Sequence, residues 1–222
     1  MTREFSLSQA GSQSILATHK VLRNTYLLLA MSLIFSGAMA AVAMVTNAPP
    51  MGLFTFILYF GLLFATNALK NSPWGILCVF ALTGTLGYTL GPILNMYIQG
   101  FSNGPQIVAT ALGGTGVTFL GLSGYVLVSQ KDFSYLGGMI MAGFMVAMIG
   151  VVAMLFFPMP LMHLMLSCFF LLLSSAAIMF ETSQIINGGE RNYIMATVSL
   201  YISIYNIFIS LLHILSAFSG RD

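Results

Sequence analysis

The chain has 222 residues, of which 58% are hydrophobic and 5% charged, with seven basic against five acidic side chains and a mean hydropathy of +0.95. Soluble domains carry about 25% charged residues, so the composition excludes an ordinary soluble domain. Continuous apolar runs exclude a membrane β-barrel as well, because barrel strands alternate over about ten residues.

Residues 1–24 are polar and rich in Ser and Gln, with Arg3, Lys20 and Arg23 as the basic residues. A cleavable signal would place a short apolar stretch right after its basic start, and none stands there. The segment reads as a cytoplasmic tail, unstructured in its first half, with residues 15–21 lying on the membrane surface. Residues 25–222 read as one transmembrane domain of seven apolar runs at 25–45, 53–69, 74–98, 106–128, 133–157, 161–186 and 193–218. A bilayer core needs about 20 apolar residues as helix, and lipid obliges each segment to satisfy its own backbone. The predicted fold class is therefore an all-α membrane protein, a seven-transmembrane-helix bundle.

Lys70, Lys131 and Arg191 fall in the second, fourth and sixth gaps, whereas the gaps near 47–52, 99–105 and 158–160 hold no charge. Seven crossings then put six of the seven basic residues on one side. The positive-inside rule makes that side cytoplasmic, with the N-terminus inside and the C-terminus, bearing Arg221 and Asp222, outside.

In the third run, Gly91-Pro92 is expected to kink or interrupt the helix, since proline removes an amide donor and clashes with the previous turn. Small residues recur in the fourth and fifth runs, at Gly113, Gly114, Gly116, Gly121, Gly124, Gly137, Gly138, Gly143 and Gly150. They are expected to allow close helix packing in lipid. Cys78 and Cys168 lie in separate apolar runs without a CxxC or a Cys/His cluster, so no metal or disulfide is expected.

Gly121-Leu122-Ser123-Gly124 matches a GxSG found around the nucleophile of rhomboid proteases. A serine nucleophile needs a base within hydrogen-bond reach. His163 and His213 sit at the opposite end of their runs, about 20 Å away in depth at 1.5 Å per residue. No catalytic constellation is expected, and the chain is read as a non-enzyme. The two histidines read first as separate interfacial residues at the outer end, with a facing pair as the alternative.

Glu181 is the one acid inside an apolar run. An ionisable group there is costly unless paired, protonated or facing water, so Glu181 reads either as an ion or proton site or as a side chain that snorkels to the interface or pairs with Lys70 or Lys131. The seventh run supplies Ser199, Tyr201, Ser203, Tyr205 and Asn206 as neighbours, with Ser199, Ser203 and Asn206 on one face. That polar stripe predicts a central seventh helix.

Four blocks carry a family resemblance: residues 18–26 (THKVLRNTY), 86–95 (LGYTLGPILN), 131–139 (KDFSYLGGM) and 180–186 (FETSQII), with 188–215 as a matching last helix. Together they resemble the Bax-inhibitor (TMBIM) family over nearly the whole chain. The resemblance implies a seven-helix bundle around the last helix. Its bacterial inner-membrane members imply a modulator of an FtsH-type AAA+ protease. Such a protein is itself a slow substrate, engaged through its N-terminal tail, here Met1, Thr2, Arg3, Glu4 and Phe5. The expected partners are that protease and the lipid bilayer, with no nucleic acid and no cofactor. Other members imply a pH-sensitive calcium leak through two aspartates. Those positions fall on Glu181 and Ser203, so one carboxylate is kept and the other lost. Calcium favours several oxygen ligands with more than one carboxylate, which weighs against that mechanism in this chain.

Overall fold

The structure is a computed structural model that describes residues 2–50, 52–156 and 159–219. These residues form seven helices and no strand: α1 (Thr2–Val45), α2 (Leu53–Leu69), α3 (Trp74–Gly100), α4 (Gly104–Ser129), α5 (Leu136–Phe156), α6 (Pro160–Ile186) and α7 (Tyr193–Ser219). Six are long and apolar enough to cross a bilayer, while α2, at 17 residues, is shorter. The chain is thus a helical protein of membrane type.

Two expectations about local structure change. First, α1 is one 44-residue helix from Thr2, so the first half of the tail is helical. Once the apolar part of a helix is nucleated, each further residue adds a hydrogen bond, and residues 2–24 contain no proline to stop it. Second, α3 runs unbroken through Pro92. The preceding residue explains how this is accommodated. Gly91 lies against Ala43 and the backbone at Met44 of α1, so the turn carrying Pro92 is braced by a neighbouring helix.

Contacts between helices set their directions. Ser36 meets Gly87, Ala43 meets Gly91, and the Asn95 Nδ2 donates to the Met44 carbonyl at 3.1 Å, so α1 and α3 run parallel. Thr25 with Thr197, and Ser36 with Tyr201, make α7 parallel to both. Ser167 with His213 makes α6 antiparallel to α7. The connections bearing Lys70, Lys131 and Arg191 consequently gather at one end. There the Asn192 Nδ2 donates to the Lys70 carbonyl and to Asn71, both at 3.0 Å.

The core centres on α7, which packs against α1, α2, α3, α4 and α6, whereas α5 touches α6 alone. Its central side chains, Leu200, Tyr201 and Ile207, are fully buried.

The glycines divide differently from the expected stripe. A Cβ at Gly113, Gly116, Gly121, Gly124 or Gly138 would meet open space, so these residues mediate no close packing within the chain. Gly137, Gly143 and Gly150 do face α6, against Phe180, Leu173 and Leu166, and Gly114 faces Leu211. A close approach of two helix backbones stands on α3, where Gly87 lies on the Ser36 carbonyl and hydroxyl. The number of small residues in a run does not reveal which side of the helix meets a partner.

Gly87→Ala should therefore lower stability by about 1–3 kcal/mol despite alanine's better helix propensity, because backbone must move. Gly113→Ala should change it by less than about 0.5 kcal/mol. Thermal unfolding of the purified protein in detergent compares the two, and equal effects would contradict the assignment of the α1–α3 contact.

Candidate functional site

The FETSQ segment near the C-terminal end of α6 divides its work residue by residue. The half-buried Glu181 faces α7, where Ser199 is its polar neighbour, and Glu190 of the α6–α7 connection is the nearby charge. Thr182, completely buried, shares a hydrogen bond with Ser123 of α4 at 3.2 Å. Ser183 accepts from the Phe133 amide at 2.9 Å and from the Asn187 Nδ2 at 3.1 Å, and donates to the Lys131 carbonyl at 3.3 Å. Its one proton and two lone pairs are all used. Gln184 reaches the Ser134 hydroxyl at 3.1 Å. Three of these four polar residues thus clasp α4 and the α4–α5 connection onto α6.

That connection is itself preorganised. The Asp132 carboxylate accepts from the Ser134 amide at 2.8 Å and from its hydroxyl at 2.5 Å. Both bonds favour the ionised form and hold this exposed carboxyl below its ordinary range.

The α7 residues expected beside Glu181 separate. Ser203 is buried and donates back to the Ser199 carbonyl of its own helix at 2.9 Å, so the carboxylate's partner is Ser199, one turn earlier. Tyr201 and Tyr205 point to other helices. The Tyr201 hydroxyl donates to the Thr83 carbonyl at 3.2 Å, which spends its proton, so Ser36 donates to it at 2.5 Å. Tyr205 meets Thr89 at 3.4 Å. Asn206 lies seven residues beyond Ser199, about 10 Å along the helix. It lines a separate cavity of about 180 Å³ with His163, Ser167 and His213.

In that cavity the two histidine rings stand edge to face with centroids 6.3 Å apart. The Ser167 hydroxyl donates to the His163 carbonyl at 2.9 Å, leaving its lone pairs to the His213 Nδ1 at 3.2 Å. His213 is therefore held with its proton on Nδ1. Ser123 is far from this pair, its hydroxyl committed to Thr182. Among the described residues no three His, Cys, Asp or Glu side chains gather at one point. Met1 lies outside the described residues, as do the side chains of Thr2, Arg3, Glu4 and Phe5.

Residues 18–220 match the family model described as inhibitor of apoptosis-promoting Bax1. The chain belongs to the Bax-inhibitor family. It is 53% identical, over 94% of each chain, to an Escherichia coli protein named modulator of FtsH protease YccA. A Pseudomonas aeruginosa protein is 52% identical over 91% of each chain. A Vibrio cholerae membrane protein is 40% identical over 93% of each. The blocks that carry the family likeness coincide with the clasps described above, at residues 131–134 and 181–184.

Ser183→Ala should cost about 1–3 kcal/mol, because it strands the buried Phe133 amide. Ser203→Ala should cost less, since a hydroxyl bonded only to its own helix frees no group on another element. Thermal melts in detergent rank the pair, and the reverse order would refute the clasp.

Proposed function

We propose that this Bax-inhibitor family member is an inner-membrane modulator of an FtsH-type AAA+ protease, acting as a slow substrate engaged through its N-terminal segment. The identity to the Escherichia coli modulator of FtsH protease carries this reading. The packing supplies a mechanism. A motor that pulls on residues 2–17 transmits force directly to the rest of α1, because the helix is continuous. That helix lies along α3 at the Gly87 and Gly91 contacts and along α7 at Thr197 and Tyr201. Extraction must break both interfaces and must also take an apolar helix out of lipid. Every later helix retains neighbours through α7. A substrate that stalls in this way occupies the protease and restrains its attack on other membrane proteins.

The same reading places all seven helices across the bilayer with the N-terminus cytoplasmic and the C-terminus periplasmic. Parallel α1 and α3 support it, because α2 must return the chain between them, and 17 residues is at the short end of a workable span. The basic connections at one end agree with the cytoplasmic assignment. Residues 1–24 serve as the tail and residues 25–222 as the resistant body, with Met1 to Phe5 as the first residues gripped.

Deleting residues 1–17 should lengthen the protein's lifetime in cells several-fold and strengthen protease inhibition, as read by pulse–chase. A cysteine at residue 10 should label only from the cytoplasmic side, and one at residue 222 only from outside. An unchanged lifetime counts against the engagement role, and reversed labelling against the topology.

A second reading, an ion or proton leak, rests on Glu181, half-buried beside Ser199 in α7. Ser203 and Asn206 extend its polar neighbours along α7 towards the outer cavity. Proteoliposome flux at several pH values tests it. The leak requires a pH-dependent flux that Glu181→Gln abolishes, and equal flux in both proteins rejects it.

A further inference from the structure

A cavity lies at the end of the bundle that gathers the basic connections. It is an open groove of about 660 Å³ lined by His19, Lys20, Leu22, Arg23 and Tyr26 of α1 and Leu127 of α4. Its origin is a gap in the packing. α1 and α4 share no backbone contact, and the Tyr26 and Phe119 rings meet across the space with centroids 6.0 Å apart. The chemistry of its wall is graded. Lys20 and Arg23 are exposed at the mouth beside His19, while Leu22 and Leu127 are partly buried along the sides. Among the described residues no acidic side chain lines it, so its described wall is cationic and apolar. Beside the floor the Tyr26 hydroxyl is buried without a hydrogen-bond partner. A buried hydroxyl left unpaired is unfavourable, and such groups in folded proteins normally find a partner.

We propose that this groove between α1 and α4 binds one anionic phospholipid. Its phosphate lies between Lys20 and Arg23, and its acyl chain runs down the Leu22–Leu127 wall. The two cations complement the headgroup, and Arg23 can hold a phosphate through two parallel N–H bonds. The apolar wall continues the lipid's own environment, which a free anion would not use. Basic pockets between helices at the cytoplasmic face are suited to such headgroups. An ester or phosphate oxygen at the floor gives the Tyr26 hydroxyl an acceptor after a small adjustment of its rotamer. The bound lipid stands between α1 and α4, where the Tyr26–Phe119 ring pair is the contact described. It is therefore placed to steady the base of the helix that continues into residues 2–17.

The full chain, purified in a neutral detergent, is mixed with equal phosphatidylglycerol and phosphatidylcholine, and retained lipid is read by native mass spectrometry at low salt. Phosphatidylglycerol should be retained about tenfold over phosphatidylcholine, and the Lys20→Gln/Arg23→Gln double variant should bring the ratio near one. Leu127→Trp, which fills the wall and leaves both charges, should also reduce phosphatidylglycerol retention. Each variant is used at an unchanged melting temperature, and either alone suffices for the test. Equal retention of the two lipids by the wild type, or an unchanged preference in the variants, overturns the proposal. Millimolar inorganic phosphate should leave the lipid bound, and its displacement would assign the groove to a free anion instead.

Discussion

The Tyr201 hydroxyl, donating to the Thr83 carbonyl and accepting from Ser36, joins α7 to α3 and α1 where water cannot reach. Away from water an unpaired hydroxyl is costly, so the three groups must be in register together or not at all. That register fixes much else. It brings Gly87 onto Ser36 and Gly91 onto Ala43, and it aligns Thr197 with the Thr25 carbonyl one turn of α7 before Tyr201. The remaining helices are arranged around the seam that results, with α5 outermost on α6.

A second set of polar contacts works on the other side of α7. Thr182, Ser183 and Gln184 fasten α4 and the α4–α5 connection to α6, and Asp132 shapes that connection through Ser134. These residues are chemically busy yet structural. Glu181, in the same segment, is the one whose side chain turns instead towards α7. A polar motif in a membrane helix can thus be mostly scaffold and still present a single ionisable group. Its carboxylate lies beside Ser199, while the Ser203 hydroxyl donates to the Ser199 carbonyl of its own helix.

At the two ends the bundle offers different chemistry. One end collects Lys20, Arg23, Lys70, Lys131 and Arg191 and leaves a basic groove between α1 and α4. The other has uncharged connections and the histidine pair. The N-terminal segment leaves from the basic end as part of α1. A force applied there passes along α1 to its contacts with α7 at Thr25 and with α3 at Ser36 and Ala43.

By itself the sequence determined what depends on composition and spacing. Seven apolar runs foretold seven helices to within a few residues at most ends, since lipid leaves a chain few other ways to satisfy its backbone. The isolation of Glu181 and the common depth of His163 and His213 were legible for the same reason, because run ends and helical rise fix depth; that the two rings meet was not. The facing of each helix was not, because rotation about the axis is set by neighbours. Gly113 and Gly87 look alike in sequence, yet one meets open space and the other a carbonyl. Tyr201 looked like a neighbour of Glu181 until the packing turned it to Ser36 and Thr83. Pro92 looked like a break until α1 closed over Gly91. Depth was written in the order of residues, whereas azimuth and partner belong to the assembled bundle, where each helix face is chosen by the surfaces already occupied.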